Sequence, residues 1–330
     1  RDKLAYSNTL KDSTYAQNIG TVIDLYSIKN NPIKFITTYR NFQTKNLVGT
    51  SLKPDNTLLN RIEYNPRYLK GLMVSNLFYE SGYGLENKKE FYYLEVAPGQ
   101  GQYTWVDYND NKIKELNEFE IAQFSDQAKY IRIYTPTNQY IKVLQNQFSL
   151  STSIRPSSYF KKINTSFKNA ITRFIFQLNY RLDNKNISIN NFQQYNPFYN
   201  INDSLLLSKN NNIRGSLFFN QNSQVFGLDY VFMNNQSRQL LVNGIENKEL
   251  ISHEGRIRIN FLKAWALNSI NTYSQKGNKS QLFSTRNYFI ESYKTENKLS
   301  FQPTTNYRIA LNGNYEIKQN LLGLDAEKAT

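Results

Sequence analysis

The chain has 330 residues, 40 Lys and Arg against 26 Asp and Glu for a net charge of +14, no cysteine and one histidine, His253. Disulfides, thiolate nucleophiles and cysteine zinc sites are therefore excluded, and a single histidine removes most catalytic triads and most transition-metal sites. The basic residues are scattered among Asn, Ile, Tyr and Phe, with no run that gathers them into a patch, so nucleic acid is not an expected partner.

The chain begins at Arg1 and reads as a piece of a longer protein. No stretch approaches the ~20 consecutive apolar residues of a spanning helix, so a membrane could be crossed only by strands. Residues 1–97 read as β-hairpins. Leu69, Gly71, Met73, Ser75, Leu77 and Tyr79 alternate with Lys70, Leu72, Val74, Asn76, Phe78 and Glu80, Ser81–Gly84 is predicted to turn the chain, and 91–96 is the next strand. Pro98, Gly99 and Gly101 predict a tight turn into a short strand at 103–106.

Residues 98–150 read as an extramembrane insertion, because the next stretch has the register of a calcium loop. Oxygen-bearing side chains stand at Asp107, Asn109, Asn111, Glu115 and Glu118, with the Ile113 carbonyl at the seventh place. Such a loop surrounds Ca2+ with about six to eight oxygens and ends on a bidentate Glu. The sixth position, where the backbone curls, ordinarily carries Gly; here it is Lys112. Lys114 is a second cation among the ligands. The competing reading is a polar Asn/Asp turn between strands. One short helix is predicted after the loop, over 117–127, with Phe119, Ala122 and Phe124 turned inward.

Residues 151–330 read as an up-and-down antiparallel meander. Thr172, Phe174, Phe176, Leu178, Tyr180 and Leu182 share one face and Arg173, Ile175, Gln177, Asn179 and Arg181 the other. The same period of two returns at 213–219, 226–232, 256–261 and 307–318, with turns predicted at 220–223, 275–279 and 295–298 and His253 placed in a turn beside Glu254. Runs of about ten residues with one charged face suit membrane strands around a wet lumen. On that reading the first four apolar side chains from Phe174 face lipid, and Arg173, Arg181, Arg256, Arg258 and Arg308 line the interior. A soluble sheet with one solvated face would give the same alternation.

The run from Glu95 to Asn109, with 115–122 and 128–138, resembles a large family of outer-membrane β-barrel proteins of Bacteroidota, best over residues 60–155. The resemblance implies a barrel in the outer membrane of a Gram-negative cell, among lipid and lipopolysaccharide and with surface or periplasmic protein partners. In that family's pattern Gly stands near Lys112. The fold expected is thus all-β, an antiparallel meander forming part of a transmembrane β-barrel. The role expected is transport, surface assembly or structural anchoring, with a structural Ca2+. No nucleophile with a base, carboxylate pair or phosphate-cradling loop stands out, so catalysis is not expected. The alternative is a soluble, secreted β-rich adhesin or carbohydrate-binding module.

Overall fold

A computed structural model of the chain describes residues 2–6, 9–26, 30–44, 55–160, 166–188, 191–200, 202, 204–242, 244–283, 286–322 and 328–329. The strands are β1 (Asp2–Tyr6), β2 (Thr9–Leu25), β3 (Ile33–Thr44), β4 (Asp55–Tyr64), β5 (Arg67–Tyr68), β6 (Met73–Glu95), β7 (Tyr103–Trp105), β8 (Phe119–Ile121) and β9 (Tyr130–Ile154). They continue with β10 (Phe174–Ile187), β11 (Leu206–Phe219), β12 (Phe226–Leu241), β13 (Gly244–Phe261), β14 (Trp265–Ser280), β15 (Tyr288–Phe301), β16 (Ile309–Asn320) and β17 (Lys328–Ala329). Among the described residues the α-helices are two short ones, α1 (Pro156–Tyr159) and α2 (Ser166–Ile171). The protein is all-β and antiparallel, as its alternation predicts. Two compact units divide it, Arg1–Gly84 with Lys142–Leu205, and Leu85–Ile141 with Leu206–Thr330.

In the first unit β1 to β4 pair in succession and β4 pairs with β6, while β9 pairs with β10 from Val143–Ile187 to Ile154–Phe176. The predicted strand from residue 69 starts later, at Met73. Leu69, Lys70 and Gly71 all take positive φ and make the turn that the alternation disguised. Ser81–Gly84 is no turn either. It lies inside β6, held there by pairing with β4 and by the bond from Ser81 Oγ to Asn146 Oδ1, 2.5 Å.

Asn146 is fully buried, and its Nδ2 donates to the Gln194 carbonyl at 2.7 Å. Gln194 Nε2 reaches Tyr83 OH at 3.1 Å, and Tyr83 OH meets Tyr195 OH at 2.7 Å. Burial and that contact hold the Tyr195 phenol well above its ordinary range. This network clamps residues 191–198 over one face of β6, β9 and β10, where Phe198 also stacks on Tyr180. Asn146→Leu strands the Ser81 hydroxyl and the Gln194 carbonyl in a buried place, so it is expected to cost about 1–3 kcal/mol in chemical denaturation. Faster proteolysis of 191–198 should accompany it.

In the second unit β11 to β17 form a meander of neighbouring antiparallel pairs. The turn predicted at 220–223 is present, closed by Ser223 N to Asn220 O at 2.9 Å. The other two are not turns: 275–279 lies within β14 and 295–298 within β15, paired on both sides or along their full length. Their composition is polar on both faces, which imitates a turn, and the strands therefore run to 14 or more residues instead of ten. His253 likewise sits mid-strand in β13, not in a turn.

The helix predicted over 117–127 does not form. A single 3-10 turn, Leu116–Glu118, passes into β8, and a second 3-10 turn covers Ser125–Gln127. The edge of β7 captures the segment: Tyr103, Thr104 and Trp105 pair with Ile121, Glu120 and Phe119. A helix of that length is marginal in isolation, and strand pairing wins. Phe119 stacks on Tyr93 at 4.0 Å, whereas Phe124 is 62% exposed, so only one of the two phenylalanines turns inward.

Candidate functional site

The loop from Asp107 to Glu118 is closed at its base by the β7–β8 ladder, with Val106 N donating to Glu118 O at 2.9 Å. Inside it the short side chains fold onto the backbone. Asp107 accepts from Asn111 N at 3.2 Å and from Lys112 N at 2.8 Å, one on each carboxylate oxygen. Asn109 Oδ1 accepts from Asn111 N at 3.0 Å, and Asn111 Oδ1 from Ile113 N at 2.6 Å. Each of these oxygens keeps a lone pair. Lys112 has φ +60 and Asp110 φ +58. The backbone thus makes the left-handed curl at the sixth position even without glycine, at the steric cost a Cβ brings there.

Glu118 is 1% exposed. Its Oε2 accepts from Trp105 Nε1 at 2.9 Å and from Glu115 N at 3.2 Å, while Oε1 is buried with no hydrogen-bond partner. Glu115 lies at the rim, where its carboxylate accepts from Asn109 Nδ2 at 3.3 Å. The Ile113 side chain is 63% exposed. Lys114 is not directed among the ligands: its Nζ pairs with Glu95 at 2.8 Å and lies over the Tyr130 ring at 4.9 Å. That hydrogen bond raises the Lys114 pKa and lowers that of Glu95. Among the described residues no three His, Cys, Asp or Glu side chains gather closely enough to hold a metal by themselves. Any ion here would depend on Asn and backbone oxygens beside the carboxylates.

The second feature lies in the meander. Register places on one face of β13, β14 and β15 the cross-strand rung Phe261, Trp265 and Phe301, and eight residues along each strand the rung His253, Tyr273 and Tyr293. Neighbouring rings touch, Trp265 with Phe301 at 4.6 Å and Tyr273 with Tyr293 at 4.7 Å, and Tyr230 OH bonds His253 Nδ1 at 2.7 Å. Between the rungs this face carries Leu217, Leu228, Ile257, Ile259, Leu267, Leu299 and Leu311 with a few neutral polar residues, and no charge. Over the same span the opposite face carries Asp229, Glu254, Arg256, Arg258, Lys294, Glu296, Lys298 and Glu316.

Burial is inverted relative to a dry core. On the apolar face Leu217, Leu228 and Leu311 are exposed, whereas Ser216 and Ser300 on the charged face are buried at 5%. Arg256 pairs with Glu254 and Lys294 with Glu296, so acids offset the bases there. Of the five arginines expected in an interior, Arg256 and Arg258 share this face, and Arg181 pairs with Asp183 at 2.7 Å on β10 of the first unit. Arg173 and Arg308 stand just before β10 and β16. Of the β10 side chains expected to face lipid, Phe174 and Phe176 are each 38% exposed, whereas Tyr180 stacks on Phe198 on the face that residues 191–198 cover, so the expectation fails there. The aromatic rows escaped the sequence reading, although their signal is there as aromatic residues eight apart in three successive strands.

Compared with protein-family models, with curated proteins and with solved structures, the chain matches none.

Proposed function

We propose that the chain is part of a β-barrel in the outer membrane of a Gram-negative cell, with a role in transport, surface assembly or anchoring and no catalytic chemistry. The observation that carries this reading is the charge-free apolar face bounded by two aromatic rungs. Eight residues of antiparallel strand span ~27 Å, or ~20 Å of height at the usual 35–45° tilt. That is close to the outward apolar band of about 25 Å with aromatic girdles that lipid requires. The opposite face, charged and partly buried, suits a wet interior. Its acids and bases are mixed and partly paired, which favours a polar or plugged lumen over a strongly anion-selective one.

Lipid and lipopolysaccharide would then meet the apolar face, and protein partners would meet the ends. A soluble adhesin or carbohydrate-binding module would have to hide this face from water, because an apolar patch so large is otherwise an association surface. Fractionation of the full-length protein separates the two. The barrel predicts recovery with outer membranes, a need for detergent, and faster gel migration before heating than after. Release into the aqueous fraction without detergent would support the adhesin instead.

A further inference from the structure

We propose that the Asp107–Glu118 loop is a calcium site and that Glu118 is the ligand which the folded chain holds ready for the ion. The Glu115 amide, inside the loop, and the Trp105 indole at its base both donate to the same carboxylate oxygen, Oε2, and so hold the side chain in place through one oxygen. That leaves Glu118 Oε1 buried and without a partner in a residue 1% exposed. A buried carboxylate oxygen with no donor is costly, and a hard cation removes that cost. Asp107, Asn109, Asn111 and the Ile113 carbonyl supply neutral and anionic oxygens of mixed kind. Such a set suits calcium, which accepts irregular shells of six to eight oxygens, better than magnesium, which demands an octahedron and keeps its waters.

Charge around the loop has been arranged to permit this. Lys114 is drawn off to Glu95, leaving Lys112 as the cation within the loop itself. Its charge keeps affinity near the weak end, on the order of 10⁻⁴ to 10⁻³ M. The site stands or falls independently of the membrane reading.

Trp105 touches Glu118, so terbium, which replaces calcium, would be sensitised by the indole. The experiment uses the full-length protein in detergent with Tb3+ luminescence excited through tryptophan, and Ca2+ calorimetry beside it. The expected result is emission that millimolar Ca2+ displaces, that falls in Trp105→Phe, and that is lost in Glu118→Gln with unchanged circular dichroism. Lys112→Gly should tighten Ca2+ about fivefold by removing a cation near a divalent ion. Because that variant gains function, a folding defect in Glu118→Gln cannot mask the answer. Emission unchanged in Glu118→Gln would overturn the assignment, and so would the absence of Ca2+ heat in both the natural protein and Lys112→Gly at 10 mM (a level about tenfold above the weak limit).

Discussion

Ile257→Lys is expected to lower stability in reversible unfolding from a bilayer by about 2–4 kcal/mol, while Thr272→Lys changes it little. Ile257 lies on the apolar face of β13, four residues from each aromatic rung, with Leu228 and Ser269 as cross-strand neighbours. In a barrel this is the bilayer midplane, where a lysine has neither water nor counter-ion and must drag its ammonium toward the interface. Thr272 is on the opposite face between Glu254 and Lys294. A lysine there meets water, with the acid of Glu254 on one side to offset the like charge of Lys294 on the other. Equal costs at the two positions would mean that the faces do not differ in solvent, and the proposed membrane orientation would be lost.

Gly101→Ala is expected to detach the loop-bearing insertion, at a cost of about 1–3 kcal/mol. A Cβ on Gly101 would stand 2.5 Å from Tyr130 N and 2.7 Å from Ala128 O, both backbone atoms that cannot swing away. Gly101 N and Gln102 N also bond to the Ala128 and Tyr130 carbonyls, at 2.9 and 2.8 Å. The whole edge must therefore shift. Hydrogen exchange should report loss of protection over residues 98–130 with β11 to β16 unchanged; protection as strong as in the natural chain would mean the approach is looser than the geometry states.

Much of this fold was legible in period-two alternation, because a strand with unlike faces writes its geometry directly into the sequence. Thus β10, β11, β12 and β16 were found near their places. The outer parts of β14 and β15 were not, since Gln275–Lys279 and Thr295–Lys298 are polar on both faces and only cross-strand register reveals them as strand. The helix expected after the loop failed for a tertiary reason: Phe119 is spaced as in a helix, yet a free β7 edge and the Tyr93 ring offer it more. At the loop, residue spacing gave the oxygens in order. It could not give the removal of Lys114 to Glu95, nor the partnerless Glu118 Oε1, which depend on how the end of β6 and the Trp105 indole pack against the loop.

Which face meets lipid can be read directly with site-specific labels, because the sequence contains no cysteine. Single cysteines at Leu217, Ile257 and Leu267, and at Ser216, Asn268 and Thr272, would each carry a nitroxide label in liposome-reconstituted full-length protein. Collision with oxygen, which concentrates in lipid, is compared with collision with a water-soluble nickel chelate. The first three positions are expected to respond to oxygen, with the greatest depth at Ile257, and the second three not to respond as lipid-exposed sites. Nickel access equal to or greater than oxygen access at Leu217, Ile257 and Leu267 would contradict the proposed membrane orientation.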